Sequence, residues 1–233
     1  LRHTFFQKEY TMFKKILLGA SLLAAASITN AATVTVTGEI SMTTTNWVDT
    51  ISVADFDTSL GTLTGVSFTL AGSLEGDAQV ESLDAAPADI TVNLEGEINL
   101  FDLDGNLLNV ALPTTSESFM ADTFDGTIDF DGASGNNFGT LFASQTDGPT
   151  DLGSITTSLT LADFTDGMAN VYDIDATAQS AATGAGNVIT QFGTRAGAIV
   201  SIVYTYDPAV VGVSSPSHIA LLGLGLVGLA GVR

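Results

Sequence analysis

Cysteine is absent from the 233-residue chain, and histidine occurs only at His3 and His218. Lysine stops at Lys15, and between residues 32 and 213 the one cation is Arg195. Each absence closes a class of chemistry. Without Cys or His in that stretch, zinc and copper sites of the usual ligand types are excluded. So are Ser–His and Cys–His nucleophiles. Without Lys there is no Schiff base and no Lys–Asn isopeptide bond, and without Cys no disulfide braces the fold. Twenty-five of the twenty-six acids lie between 32 and 213, which gives this stretch a net charge near −24. Nothing there can neutralise phosphates, so nucleic acid is excluded as a direct partner. A field of this sign attracts cations and opposes compaction. High salt relieves the strain, because the screening length shrinks to about 3 Å at 1 M.

What the chain does have at its two ends is apolar sequence. Met12-Phe13-Lys14-Lys15 is a charged start, residues 16–26 (ILLGASLLAAA) are apolar, and Thr29-Asn30-Ala31 places small residues before Ala32. That order predicts a secretory signal peptide, helical over its apolar stretch and cut by signal peptidase between Ala31 and Ala32. Residues 1–11 differ in composition and are set aside with it. At the other end, Ile219 to Val232 carries no charge, runs through Leu222, Leu224, Leu226 and Leu229, and is closed by Arg233. A helix of this length spans roughly 21 Å, against a hydrocarbon core of about 30 Å. It reads as a short tail helix for transient anchoring, with a buried core helix as the alternative.

The string Pro-Ser-x-x-Ala-Leu-Leu-Gly-Leu-Gly-Leu-x-Gly-Leu-Ala-Gly-x-Arg, from Pro216 and Ser217 to Arg233, resembles the PEP-CTERM sorting signal of Gram-negative bacteria. The family's Pro-Glu-Pro is reduced to the single Pro216 of Ser214-Ser215-Pro216-Ser217, and its basic cluster to Arg233. The resemblance implies holding in the inner membrane, processing by an exosortase near Pro216 and Ser217, and passage to the cell surface or extracellular matrix.

Between the two ends alternation dominates. Thr33-Val34-Thr35-Val36-Thr37 sets threonine on one face and valine on the other, and 90–100 alternates Ile, Val, Leu and Gly with polar residues. Period-2 patterns of this kind are half-buried strands. Further strands are expected at 62–70, 126–130, 154–161, 171–176 and 198–206. Turn signals stand at Glu75-Gly76-Asp77, Asp104-Gly105-Asn106, Asp131-Gly132, Asp147-Gly148-Pro149 and Asp166-Gly167. Residues 179–185 read as a small-residue loop, and 101–108 as a hairpin with a tight turn. Many short strands without a long amphipathic helix predict an all-β, antiparallel β-sandwich in one domain over 32–206. A flexible linker over 207–218 then leads to the tail at 219–233. A closed barrel or a β-helix is the alternative, though no repeat of fixed period is visible.

Phe56-Asp57-Thr58-Ser59-Leu60-Gly61-Thr62-Leu63-Thr64-Gly65-Val66 resembles the Phe-Asp-Pro-Ser-Leu-Gly-Thr-Leu-Thr-Gly-Val motif of choice-of-anchor E domains, with Thr58 in place of proline. The resemblance implies a surface location and carries no assigned activity.

Two stretches offer oxygen ligands. Asp102, Asp104 and Asn106 have the spacing of a calcium loop without its distal bidentate glutamate, and a hairpin turn is the competing reading. Asp129 and Asp131, on one face of a strand, would stand about 6.6 Å apart and could hold calcium; a polar rim is the competing reading. Twenty-five carboxylates make a glycosidase pair indistinguishable from background. Trp47, Tyr172, Tyr204 and Tyr206 are expected in or beside the core, which leaves no aromatic sugar cleft. The expected function is therefore a non-enzymatic, exported surface or biofilm-matrix module in contact with extracellular polysaccharide. A calcium-dependent carbohydrate-binding module is the alternative, and a carboxylate-based hydrolase the third reading.

Overall fold

Where alternation finds a facing sheet it becomes strand, and here it does so along most of the chain. A computed structural model describes residues 30–209 and contains two antiparallel sheets and no α-helix among the described residues. The first sheet, ordered β1-β9-β3-β7, combines β1 (Ala32–Thr44), β9 (Val188–Pro208), β3 (Gly61–Ser82) and β7 (Gly135–Asp151). The second is ordered β2-β8-β4-β5 and combines β2 (Trp47–Val53), β8 (Asn170–Thr183), β4 (Ala88–Phe101) and β5 (Leu107–Ala111). Strand β6 (Thr114–Ala121) continues the line of β5 along the same side of β4.

The apolar phase of each strand faces the space between the sheets. Phe68, Leu70, Leu74, Val200, Ile202 and Tyr204 from the first sheet meet Leu94, Ile98, Leu100, Tyr172 and Ile174 from the second, all essentially inaccessible to water. A smaller cluster of Ala78, Val80, Ile90, Val92 and Ala121 continues the core toward Phe119 and Phe138. Trp47 and Tyr206 pack against the main cluster, so the aromatics lie in or beside the core as expected.

The strands expected at 62–70, 90–100, 171–176 and 198–206 fall inside β3, β4, β8 and β9, and the hairpin at 101–108 joins β4 to β5. Several expectations need correction. Glu75-Gly76-Asp77 is no turn but the middle of a 22-residue strand. A Cβ at Gly76 would lie 2.4 Å from Leu94 Cδ1 of the opposite sheet, so this glycine serves close packing between layers. Asp147-Gly148-Pro149 also lies within a strand, at an irregularity in the β3–β7 register. Residues 179–183, expected as loop, complete β8, because β4 supplies hydrogen-bonding partners from Thr91 to Phe101 whatever the local propensity. Residues 126–130 and 154–161 are not strands but parts of long connections. Asp207 and Pro208, expected as the start of the linker, instead pair with Thr62 and Gly61 in the sheet, and residues 210–218 lie outside the described residues. The expected signal helix and tail helix lie outside the described residues. Among the described residues no helix is long and apolar enough to cross a membrane.

Candidate functional site

The β4–β5 hairpin, the connection 152–169 and the exit from β2 meet at one end of the sandwich, and carboxylates fasten them. Asp102 is 1% exposed. Its oxygens accept hydrogen bonds from the backbone N–H groups of Asp104 (3.0 Å) and Asn106 (2.8 Å), from Asn106 Nδ2 (2.8 Å) and from the Thr157 hydroxyl. Burial opposes ionisation of Asp102, but the bonds from Thr157, Asn106 and Asp104 outweigh it and hold the carboxyl below the usual carboxylate range. Ser158 donates to Asp104 beside it. Asp163 accepts from the Thr160 N–H at 2.7 Å and from its hydroxyl at 2.8 Å, in that order the causes that hold its carboxyl low. Asp55 accepts from the Gly167 N–H at 2.7 Å, tying the same connection to the end of β2.

These bonds hold Phe164 as a plug. Its ring is fully buried, 6.1 Å from Phe68 and 6.0 Å from Tyr204. A surface cleft of about 280 Å³ lies alongside, with Asp104, Asp163 and Asp166 among its acids and Leu103 and Met168 exposed at its margin. Burial pushes the Tyr204 phenol up to about 12, with the Asp55 charge adding to it, and its OH donates to the Ala54 carbonyl at 2.9 Å. Tyr172 is pushed up further, first by burial and then by Tyr204 and Asp55; its buried OH has no hydrogen-bond partner among the described residues. The phenols thus stay protonated, and the oxygens of Asp102 are taken up by fastening the loops.

Asp102, Asp104 and Asn106 therefore do come together, as the closed turn that competed with a calcium loop. Asp129 and Asp131 do not stand side by side on a strand. They lie in the connection from β6 to β7, where Asp129 accepts from the Asp131 N–H at 3.1 Å and Asp131 from the Gly132 N–H at 2.8 Å. Short carboxylates that capture nearby backbone N–H groups stabilise turns at the expense of strands. Among the described residues no group of three or more Asp, Glu or His is arranged to hold a metal ion.

Two polar positions escaped the sequence reading. Glu81 is fully buried at the end of β3, where it accepts from the Ser134 hydroxyl at 2.6 Å and from the Phe130 N–H at 2.8 Å, anchoring the 122–134 connection. Asn109 is 2% exposed and donates to Asp147 Oδ2 (3.0 Å) and Thr150 Oγ1 (2.9 Å). Asp147 Oδ2 also accepts from the Val110 N–H at 3.0 Å, and Gln145 Oε1 from the Leu112 N–H. A signal was present only for Asn109, a polar residue in phase with Leu107 and Ala111; Glu81 falls in the polar phase of β3 with Glu75, Asp77 and Gln79, so nothing in its local pattern marked it as buried.

Of the expected processing residues, Ala31 is exposed and Ala32 is the first residue of β1, opposite Tyr206. Pro216, Ser217, Ile219, Leu222, Leu224, Leu226, Leu229 and Arg233 lie outside the described residues. No family model matches the chain, and no curated protein matches it. Among solved structures, a chain of infectious bursal disease virus, Gt strain, is 12% identical, with 88% of this chain and 51% of that one covered and a TM-score of 0.13. A chain of the T13 particle of the same virus is 12% identical, with 84% and 46% covered and a TM-score of 0.15. The protein spans about half the length of those chains, and similarity at this level carries no argument about fold or role.

Proposed function

We propose that the protein is an exported, non-enzymatic module of a Gram-negative cell surface or biofilm matrix, routed by its signal peptide and PEP-CTERM-like tail. On this reading the body is a choice-of-anchor E-like domain in contact with extracellular polysaccharide. The observation that carries the proposal is the outer face of the first sheet. Thr33 and Thr205 pair there, and Thr35–Val203–Ser67 and Thr37–Ser201–Thr69 form rows across β1, β9 and β3. Within β1, β9 and β3 these rows carry no charge, in a body of net charge near −24; Asp151 of β7 stands opposite Ser67, and Glu39, Glu75 and Asp77 lie farther along the same face. The outer face of the second sheet instead carries Asp173, Asp175, Glu95 and Glu97 along β8 and β4. A neutral, hydroxyl-bearing patch of this kind suits a neutral, hydroxyl-bearing polymer better than it suits an ionic ligand. Export also agrees with where the sheet starts, since a cut before Ala32 removes no residue of β1.

The test is to recover the mature protein from fractionated cells and sequence its termini by mass spectrometry. Export predicts a protein beginning at Ala32 in the surface or matrix fraction. Recovery from the cytosol with residues 12–31 intact would overturn the proposal.

A further inference from the structure

Every open sheet presents two edges whose unpaired N–H and C=O groups invite another strand, and proteins guard them with short strands, charges or side-chain caps. Among the described residues, three of the edge positions in this sandwich are guarded. On one side β5 and β7 meet, and Asp147 and Gln145 of β7 take up the N–H groups of Val110 in β5 and of Leu112 just beyond it. Strand β2 has only seven residues and carries Asp49, whose carboxylate accepts from the Thr50 N–H at 2.8 Å. Strand β1 differs. It has thirteen residues and pairs on one side only, with β9, in unbroken register from Ala32 to Ile40. No hydrogen bond from the described residues reaches its other side. Residues 32–40 contain no proline and no lysine, and Glu39 is their one charge.

We propose that the outer edge of β1 is a self-association site, at which a second copy of this chain adds its own β1 in antiparallel fashion about a two-fold axis at Thr35. The sequence is self-complementary in that register. Thr35 faces its own symmetry mate, Thr33 faces Thr37, and Val34 faces Val36, so threonine meets threonine on the outer face and valine meets valine on the inner one. The inner face gains by this. Val34, Val36 and Ile40 pack on the core but remain only partly buried, and a neighbouring strand would cover them. Charge selects the same margin. With −24 on each body, two copies can approach only where acids are few, and Glu39 of each copy would stand about 26 Å from its mate at 3.3 Å per residue, well beyond a screening length of about 8 Å at physiological salt. The two four-stranded sheets would then join as one eight-stranded sheet. Joined edge to edge through backbone hydrogen bonds, the pair buries little area, so trapping suits it better than equilibrium sizing.

Because the chain has no cysteine, one substitution introduces a unique thiol. The full chain with Thr35→Cys, solubilised in mild detergent and treated with a mild oxidant, is expected to shift to a covalent homodimer on a non-reducing gel. Facing positions on paired strands lie close to disulfide distance. The full chain with Thr177→Cys, an exposed position of β8, is expected to stay monomeric and controls for association through the tail. In the Thr35→Cys background, Thr33→Lys with Thr37→Lys sets like charges opposite each other and is expected to abolish the crosslink. Thr33→Glu with Thr37→Lys sets opposite charges there and is expected to restore it. Circular dichroism confirms that each variant is folded. The proposal is overturned if the Thr35→Cys chain stays monomeric, crosslinks no faster than the Thr177→Cys chain, crosslinks to a different protein, or ignores the charge pattern.

Discussion

Along one seam of the sandwich β5 meets β7 through Asp147, Gln145 and Asn109; along the other, β1 lies beside β2 and no hydrogen bond from the described residues crosses to its edge. The Trp47 indole of β2 donates not to β1 but to the Ala196 carbonyl of β9, at 3.3 Å. What lies between β1 and β2 is packing: a Cβ at Gly38 would sit 2.7 Å from Ile51 Cγ1. The difference shows how an acidic protein can spend its carboxylates. Oxygens facing backbone N–H groups close hairpins and seams without a cation, because an ionised acceptor makes the stronger kind of hydrogen bond. Where no such oxygen is placed, the strand edge stays open to a partner.

The largest effect is expected at the hairpin that heads the closed seam. Asp102→Ala leaves Thr157, Asn106 and two backbone N–H groups without their acceptor and should cost about 3 kcal/mol in urea unfolding. The pH dependence has a definite sign. The folded value of Asp102 is lowered below an unfolded value of about 3.9, so its stabilisation is fully present above roughly pH 4 and is lost as pH falls through the lowered folded value. The gap between wild type and Asp102→Ala should therefore be constant at neutral pH and close in acid. A gap that widens in acid would contradict the assigned hydrogen bonds.

Asp147→Ala opens the closed seam itself. The Val110 N–H and the buried Asn109 amide lose their shared acceptor, for a cost of about 2 kcal/mol. Hydrogen exchange at Val110 should accelerate in this variant while exchange in β9 does not.

At the open seam the smallest change is expected. Thr35→Lys alters an exposed position whose partner, Val203, lies in β9, and the stability of the single chain should move by no more than about 0.5 kcal/mol. A loss comparable to that of Asp147→Ala would mean that the β1 edge is closed, and the contrast between the seams would disappear.

Much of the fold was legible because period-2 alternation needs no partner to be recognised. The segments at 33–37, 62–70, 90–100, 171–176 and 198–206 each carry an apolar phase that only a two-layer β arrangement can bury. The hairpin at 101–108 was legible from Asp104-Gly105-Asn106, since Gly105 takes a φ of 82° there. Strands β2, β6 and β7 were not legible. Their burial patterns are irregular, and they are strands because β8, β4 and β3 offer them hydrogen-bond partners. Asp129 and Asp131 misled for the reverse reason: a short alternation between glycines had no neighbour to pair with, and its carboxylates turned to their own backbone.

By itself the sequence determined the all-β class, the alternating core phase, the charge and the absence of Cys, His and Lys chemistry from residues 32–213. Those properties depend on which side chains exist and how they alternate, and no distant residue can change them. Tertiary structure alone decided that Gly76 is a packing contact, that Asp102 and Asp147 are fasteners, and that β5 is covered while β1 lies open. Each of those outcomes depends on which distant strand arrives alongside, a matter of long-range pairing that no local pattern encodes.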